Sequence, residues 1–258
     1  MRQRLILGVP RMTYLGEGWD SRAELVDGRW VDRRPRRREI GPQLRRETVV
    51  MPWLAPQLPL PVPVPVVVSE EPLVVRHELV PGAELASLNA VQGRQLGEFL
   101  LALHAVDVAE AVARGVGPRP LPVERFRAEV RVPGGEELLA GVSGLPADTL
   151  VHGDLGPEHV LGADGVLTGV IDFGDLHVGD RAADLAWALH ATPPEFAAAV
   201  AGTYGVTHEL RERALLWHQL GPWHEVLYGN DIGDPRVAAE GLAGVRERLR
   251  IGVSEADA

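Results

Sequence analysis

The segment Leu150-Val151-His152-Gly153-Asp154-Leu155-Gly156-Pro157-Glu158-His159-Val160-Leu161, with Val170-Ile171-Asp172-Phe173-Gly174-Asp175 after it, decides how this chain can be interpreted. In each half, a short apolar run leads into a carboxylate, first Asp154 and then Asp172. Such runs, at Thr149–Val151 and at 169–171, are typical of buried strands, and Ala163-Asp164-Gly165 is a turn signal. We therefore predict a β-hairpin of these two strands that brings both aspartates to one cleft.

Two carboxylates held at neighbouring strand ends indicate phosphoryl transfer. Packing alone does not explain them, because an unpaired buried carboxylate is strongly destabilising. Protein kinases carry H-R-D-x-x-x-x-N followed by D-F-G; the first aspartate takes the proton of the attacking hydroxyl and the second binds metal ions. Here His152-Gly153-Asp154 is followed by His159 and then by Asp172-Phe173-Gly174. Order and spacing match, with Gly for Arg and His for Asn.

Together with Gly179-Asp180 and Asp184-Leu185-Ala186, these motifs resemble the aminoglycoside phosphotransferase and choline kinase-like family. They are most similar to the 2''-aminoglycoside phosphotransferases, although macrolide kinases resemble this chain at His159 as well. The resemblance implies an α+β, protein-kinase-like fold of two lobes. A small antiparallel β lobe with one helix would occupy residues 1–80, and a larger, mainly helical lobe would occupy 81–258. The hinge between them would lie at 77–82.

The resemblance also implies roles for three motif residues. Asp154 would be the catalytic residue that orients and deprotonates the acceptor hydroxyl. Asp172 would bind Mg²⁺, and His159 would take the second metal-ligand position. Because Mg²⁺ prefers oxygen ligands, the alternative is that His159 contacts phosphate or water, or pairs with an acid. Positioning and charge neutralisation would then supply most of the rate enhancement.

The N-terminal part has the pattern of short strands, with Asp27-Gly28 as one hairpin turn. Gly16, Gly18 and Ser21 fall in a predicted loop at 14–21 between two of these strands. Glycine lets backbone N–H groups approach phosphates without a Cβ in the way. A glycine pair alone is weak evidence, but the later motifs make this segment the expected nucleotide loop.

A cation for the nucleotide phosphates is expected on the strand that begins at Trp30. The family usually has Lys there, but all 26 basic residues of this chain are Arg, and the alignment places Arg33 at that position. Arginine is not a neutral exchange for lysine. Glu47, in a helix predicted at about 39–54, is expected to pair with it. Beyond a Pro-rich extended connection and a strand, Glu78 and Val80 would present hinge backbone groups to the nucleobase of ATP or GTP.

The remaining chain is predicted to be mainly helical. Ser87 is the expected N-cap of a helix whose apolar stripe ends at His104, which we interpret as a structural histidine. Two short helices are expected within 118–146. Helices are also predicted at 181–190, 194–203, 209–228 and 235–250, with a loop at 229–234 before the last.

Composition limits the possible partners. The absence of cysteine excludes disulfides and thiolate metal sites. Neither a signal peptide nor a bilayer-spanning run is recognisable, so we expect a soluble cytoplasmic protein without a membrane partner. Residues 1–50 have 12 Arg and 7 acids, while the other 208 have 14 Arg and 29 acids. This split suits an anionic nucleotide and a cationic acceptor, or is a matter of solubility. The net charge of −10 argues against nucleic-acid binding.

A polycationic aminoglycoside needs carboxylates in its pocket. The expected acceptor-binding residues are Glu158, Asp175, Glu225 and Asp231. Three hypotheses stay open: an aminoglycoside kinase using ATP or GTP, a kinase of another small alcohol such as a macrolide or a metabolite, and a nucleotide-binding relative that has lost catalysis. The absent lysine and the histidine at position 159 motivate the third.

Overall fold

The structure is a computed structural model, and it describes residues 11–250. The part of the predicted strand region before residue 11 lies outside that range. A five-stranded antiparallel sheet comes first in the chain, as expected. In spatial order, its strands are β1 (Met12–Glu17), β2 (Ser21–Val26), β3 (Trp30–Pro35), β5 (Leu73–Glu78) and β4 (Val66–Glu70).

The sequence explains two features of this sheet. Asp27 and Gly28 have φ values of 54° and 68°, the left-handed conformations that a two-residue hairpin turn between β2 and β3 requires. The Pro-rich connection leads into β4, which lies at the sheet edge, where missing backbone donors are tolerated.

Helix α1 (Gly41–Leu54) follows β3 after a short 3₁₀ turn at Arg38–Ile40. Its buried Leu44 packs with Leu73 and Val75 of the sheet. Val49 is apolar but lies outside this contact, since it is 56% exposed. Val50, Met51 and Leu54 instead form the buried face at the end of the helix. Because adjacent helix positions point about 100° apart, burying residues 50 and 51 turns residue 49 towards solvent.

The second part of the chain is mainly helical, and it contains two small sheets. Strands β6 (Ala83–Glu84), β8 (Val160–Ala163) and β9 (Val166–Val170) form one sheet, and β7 (Thr149–Val151) and β10 (His177–Gly179) form the other. The helices are α2 (Ala90–His104), α3 (Val108–Ala113), α4 (Val123–Glu129), α5 (Gly135–Val142), α6 (Ala182–His190), α7 (Pro194–Tyr204), α8 (His208–Ile232) and α9 (Pro235–Arg248). The predicted α+β, two-lobed, kinase-like class is confirmed.

The predicted hairpin is only partly correct. Its turn at Asp164-Gly165 is present, but it joins β8 to β9. Thr149–Val151 belongs to another sheet and pairs with β10 in antiparallel register. The cause is the loop and 3₁₀ turn at residues 152–159, which separates β7 from β8 and lets the chain change sheets.

Two predicted helix ends differ from the structure. Asn89, not Ser87, caps α2. Its side chain accepts hydrogen bonds from Val91 N and Gln92 N, and the Gln92 side-chain oxygen accepts one from Asn89 N. This reciprocal capping box satisfies two groups that a helix end otherwise leaves unpaired. Helix α8 continues through most of the predicted loop to Ile232, and Gly233, which has a φ of 68°, is its C-cap. Asp231 is therefore a helical residue.

The largest hydrophobic core is shared between the two parts of the chain. Val50, Met51 and Leu54 of α1 belong to the same cluster as Leu96 and Phe99 of α2. The sheet has only a small cluster of its own with α1. The predicted boundary near residue 80 stays a prediction. No helix within residues 11–250 is long and apolar enough to cross a bilayer.

Candidate active site

The loop after β7 is built around Gly153. This residue has a φ of 84°, and a Cβ on it would lie 2.5 Å from the Asp175 carbonyl oxygen and 2.7 Å from His177 Nδ1. Only glycine combines this backbone conformation with so close an approach. The packing therefore explains why Gly replaces the usual Arg, and the tight turn exposes the neighbouring Asp154 in the cleft.

Asp184 of α6 holds this loop in place through hydrogen bonds to its backbone. Its Oδ2 accepts from His152 N at 2.7 Å, and its Oδ1 accepts from Gly153 N at 2.9 Å. His104 Nε2 lies 3.0 Å from the same carboxylate, and His104 Nδ1 contacts the Tyr204 hydroxyl at 2.7 Å. Burial would raise the pKa of Asp184, but the His104 hydrogen bond and nearby histidine charge lower it. The structural interpretation of His104 thus extends to support of the catalytic loop.

Asp172 lies in the loop after β9 with a φ of 62°, which is uncommon for a residue other than glycine. Its Oδ1 lies 3.5 Å from Arg33 Nη2. Burial would raise the pKa of Asp172, but the positive charge of Arg33 and the histidines His159 and His152 lower it below its usual value. The carboxylate is therefore held ionised while 47% of the side chain stays exposed to the cleft.

His159 brings the two catalytic-loop carboxylates together. Its Nδ1 lies 2.5 Å from the Asp154 carbonyl oxygen and 3.8 Å from Asp154 Oδ2. Its Nε2 lies 3.9 Å from Asp172 Oδ2. Both acids therefore face one imidazole ring. The pKa of Asp154 is raised to about 6, chiefly because the surrounding protein shields the carboxylate from water. The negative charges of Asp175 and Asp172 also raise this pKa, whereas His159 lowers it.

Arg33 and Glu47 form a buried ion pair behind Asp172. Arg33 Nη1 donates to Glu47 Oε2 at 2.6 Å, and Arg33 Nε donates to the Ser21 hydroxyl at 3.1 Å. Burial would lower the pKa of Arg33, but Glu47 and Asp172 raise it overall. Burial raises the pKa of Glu47, and Arg33 offsets only part of this shift. The strand and helix thus place a cation and its partner as the sequence predicts.

The glycine loop is shorter than expected. Strand β1 extends to Glu17, so Gly16 lies within the strand next to a β-bulge, and the turn covers only 18–20. A Cβ on Gly16 would meet no atom within 4 Å, and one on Gly18 would meet only the Ser21 carbonyl oxygen at 4.0 Å. Packing within the protein therefore does not require these glycines. The Ser21 hydroxyl, by contrast, is occupied by Arg33.

An aromatic contact joins the turn between β1 and β2 to helix α8. The Trp19 ring, at the tip of this turn, stacks on the Tyr228 ring of α8 with centroids 3.8 Å apart and planes 7° apart. The two residues are 209 positions apart in the chain, and the sequence contains no local signal for their contact. The stack links the expected nucleotide loop directly to the helix that faces it.

Comparisons with known proteins agree with this arrangement. Residues 11–217 match the phosphotransferase enzyme family, APH. The chain belongs to this family. The predicted family and phosphotransferase class are thereby confirmed. A viomycin phosphotransferase from Streptomyces vinaceus is 33% identical over 135 residues, which cover 43% of this chain and 41% of that relative's length.

Two solved structures show how far the likeness to this APH-family chain extends. A structure of APH(2'') in complex with GDP and kanamycin is 25% identical, with a TM-score of 0.82 and 96% of each chain covered. A type I macrolide 2'-phosphotransferase is 26% identical, with a TM-score of 0.75, and the alignment covers 91% of this chain and 90% of that one. Aminoglycoside and macrolide enzymes are thus about equally similar in sequence.

The segment of this APH-family chain that is predicted to be the hinge contains Glu78 and Val80. The Glu78 carbonyl oxygen faces His77 Nδ1 at 2.8 Å, and its side chain pairs with Arg29. The buried Val80 side chain packs against Gly169, where a Cβ would come within 2.2 Å of it. No hydrogen bond of the Val80 backbone occurs within residues 11–250. The Glu78 backbone, by contrast, already contacts His77.

The four acids expected to bind the acceptor are not equivalent. Asp175 pairs with Arg119, and Asp231 pairs with Arg125. Glu158 is exposed beside the catalytic loop. Glu225 lies on the side of α8 that faces α9, where its charge acts on Arg248. The structure therefore brings Glu158 and Asp175 next to Asp154. Asp231 lies in the last turn of α8, and Glu225 lies beside α9.

The donor set can be tested against Mg²⁺. Among the described residues, no group of three or more acidic, histidine or cysteine side chains could hold a metal by itself. Magnesium at nucleotide sites uses one or two carboxylates, with phosphates and water completing its shell. The ionised, cleft-facing Asp172 fits this requirement. The contacts of His159 with two acids favour the alternative that it pairs with a carboxylate.

Proposed function

We propose that this protein is a small-molecule kinase that transfers the γ-phosphoryl group of ATP or GTP to a hydroxyl of an antibiotic-type acceptor. The observation that carries the proposal is the convergence of Asp154 and Asp172 on the two nitrogens of His159. Behind them, Arg33 and Glu47 provide the buried ion pair that kinases use to position phosphates.

In the proposed reaction, the acceptor hydroxyl oxygen forms a bond to the γ-phosphorus. The bond from that phosphorus to the bridging oxygen of the nucleoside diphosphate breaks, and the diphosphate leaves. Asp154 accepts the hydroxyl proton. With a pKa of about 6, its carboxylate is mainly ionised at neutral pH and remains a usable base. Asp184 keeps this loop in place through its two bonds to the backbone.

The nucleotide would lie between the sheet and the helical part, with residues 77–82 acting as the hinge between lobes 1–80 and 81–258. Gly16 and Gly18 would leave space for the phosphates. Arg33, held by Glu47 and Ser21, would be the cation that contacts them, and the Val80 backbone would face the nucleobase. Asp172, with His159 beside it, would hold Mg²⁺. When bound, this ion would neutralise charge on the transferred phosphoryl group.

Two observations bear on the class of acceptor: the similarity to known enzymes, and the pairing of acidic side chains with arginines. An aminoglycoside is supported by the similarity to the kanamycin-bound APH(2'') structure, and a macrolide by the equally similar macrolide enzyme. The pairing of Asp175 and Asp231 with arginines leaves fewer free acids than a polycation would need. This observation favours an acceptor with fewer positive charges than a typical aminoglycoside.

A mass-shift screen tests the proposal. The protein is incubated with Mg²⁺ and either ATP or GTP, together with kanamycin, viomycin or a macrolide. The expected result is a mass increase of one phosphoryl group on at least one acceptor, and none with Asp154→Asn. The proposal is wrong if nucleotide with Mg²⁺ stabilises the protein thermally but no acceptor of the panel is modified. That result is the one expected of a relative without catalysis.

A further inference from the structure

Arg119 is fixed beside the catalytic loop by the backbone. Val178 N of β10 donates to the Gly117 carbonyl oxygen at 3.0 Å, and Pro118 forms an isolated parallel bridge with Val178. Strand β10 is paired with β7, which leads directly into the loop of Asp154. The Arg119 side chain pairs with Asp175, whose carbonyl oxygen lies against Gly153. An arginine guanidinium, paired with a single carboxylate, therefore lies next to the catalytic turn.

The Arg119 guanidinium is largely available for a ligand. Its side chain is 58% exposed, and within residues 11–250 its only hydrogen bond is the Nη1 contact to Asp175. Arg125 differs, because its Nε, Nη1 and Nη2 all donate to Glu129 or Asp231. Of the five N–H groups of a guanidinium, Arg119 therefore uses one and Arg125 uses four.

The wall of α8 changes charge along its length. His224, Tyr228 and Asp231 share one face at helical spacing. At the near end, the crowding around His224 and the charge of Arg119 lower the pKa of His224 to about 4, so this histidine is neutral. At the far end, Arg125 is shared by two acids, Glu129 and Asp231, which leaves one negative charge uncompensated. With a rise of 1.5 Å per residue, the two ends are about 10 Å apart.

We propose, on the basis of the proposed function, that Arg119 sets the acceptor class. The phosphorylated hydroxyl is flanked by a carbonyl or carboxylate oxygen, which the spare N–H groups of Arg119 bind. An ammonium group at that flanking position is repelled by Arg119. A cationic amine of the acceptor lies about 10 Å away, near Glu129 and Asp231, as the helical rise along α8 indicates.

Binding of kanamycin, used as a polycationic probe, tests this charge effect without requiring turnover. Calorimetry is performed on the wild-type protein and on Arg119→Gln, each with Mg²⁺ and a non-hydrolysable nucleotide. Removing a positive charge beside the bound probe is expected to tighten kanamycin binding about tenfold at low salt. The gain should shrink at high salt, because added ions screen the repulsion.

Two further variants separate charge from structure. Arg119→Lys keeps the charge and is expected to bind kanamycin like the wild-type protein. Arg127→Gln removes another exposed arginine that pairs with Glu124 and Glu136 instead, and it should leave kanamycin affinity unchanged. Thermal unfolding confirms that each variant is folded.

The site of phosphorylation provides the second readout. Any acceptor modified in the screen should carry the phosphate on a hydroxyl next to a carbonyl or carboxylate oxygen, and Arg119→Gln should raise its KM about tenfold, the factor that 1.4 kcal/mol represents. Equal kanamycin affinities in the wild-type protein and Arg119→Gln would overturn the inference. That result is distinct from failure of the proposed function, which is the absence of any phosphorylated product.

Discussion

The two ends of the cleft are built from different kinds of ion pair. At the end proposed to hold the nucleotide, called the nucleotide end, the side chains of Arg33 and Glu47 are 10% and 4% exposed. At the end proposed to bind the acceptor, called the acceptor end, those of Arg125 and Asp231 are 45% and 54% exposed. Removing one partner of a buried pair strands the other charge away from water and costs about 3–5 kcal/mol, whereas an exposed pair contributes about 0–1 kcal/mol. The nucleotide end is thus constrained by folding itself, and the acceptor end can change at little cost.

This difference explains how one fold can serve several acceptors. The nucleotide is common to the reactions of such kinases, so the residues that hold it can be built into the core. In the proposed function, acceptor recognition would use Arg119, Asp175 and Asp231, whose charges are at the surface and do not contribute to the core. His159, Asp154 and Asp172 lie between the nucleotide end and the acceptor end.

The largest expected effect is the loss of kcat when Asp154, which lies between the two ends, is replaced. Asp154→Asn keeps the size of the side chain but removes the base, and it should lower kcat by about 10²–10⁴-fold, the typical contribution of a positioned general base. Steady-state phosphorylation of the acceptor found in the screen measures this loss. Nucleotide affinity and thermal stability should be nearly unchanged. An Asp154→Asn variant with normal kcat would show that another group takes the proton.

A large effect on folding is expected at the nucleotide end. Glu47→Ala leaves the buried Arg33 without its main partner and should lower the free energy of unfolding by about 3–5 kcal/mol. Glu39→Ala, at an exposed glutamate just before the same helix, is the matched control and should change stability by less than about 0.5 kcal/mol. Urea denaturation measures both. Similar losses in the two variants would remove the contrast between buried and exposed charges.

Much of the nucleotide end could be predicted from sequence because its chemistry is local. Asp154, His159 and Asp172 lie within one short motif region whose order is set by the reaction. The pairing of Arg33 with Glu47 followed from the family's strand-and-helix order. The sequence shows that Gly153 departs from the kinase pattern, but only the structure shows that Asp175 leaves no room for a side chain.

The contacts that could not be predicted join distant parts of the chain. The β7–β10 pairing depends on where the loop at 152–159 directs the chain, which no periodicity encodes. The contact of Arg119 with Asp175 spans 56 positions and uses residues that are common on surfaces. The N-cap of α2, by contrast, can be identified from the sequence. Gln92 lies three residues after Asn89, and this capping-box spacing favours Asn89 over Ser87.

A smaller effect is expected where the Trp19–Tyr228 stack joins the two ends. Such a pair contributes about 0.5–1.5 kcal/mol beyond its buried area. Trp19→Ala and Tyr228→Ala should therefore cost less together than the sum of their separate effects on stability. Urea denaturation of both single variants and the double variant measures this coupling. Tyr14→Ala, at an exposed tyrosine of β1, should be additive with Tyr228→Ala. Additivity of Trp19→Ala with Tyr228→Ala would mean that the rings do not interact in solution.

The smallest effect on folding is expected at Asp231. Asp231→Asn removes the charge that faces Arg125, but Arg125 keeps Glu129 as a partner and both groups are exposed. The free energy of unfolding should fall by no more than about 1 kcal/mol. If Asp231 binds an amine of the acceptor, the same change raises the acceptor KM while kcat stays constant, because binding is lost equally in the ground and transition states. A loss of stability as large as that of Glu47→Ala would show that the acceptor end is as constrained as the nucleotide end.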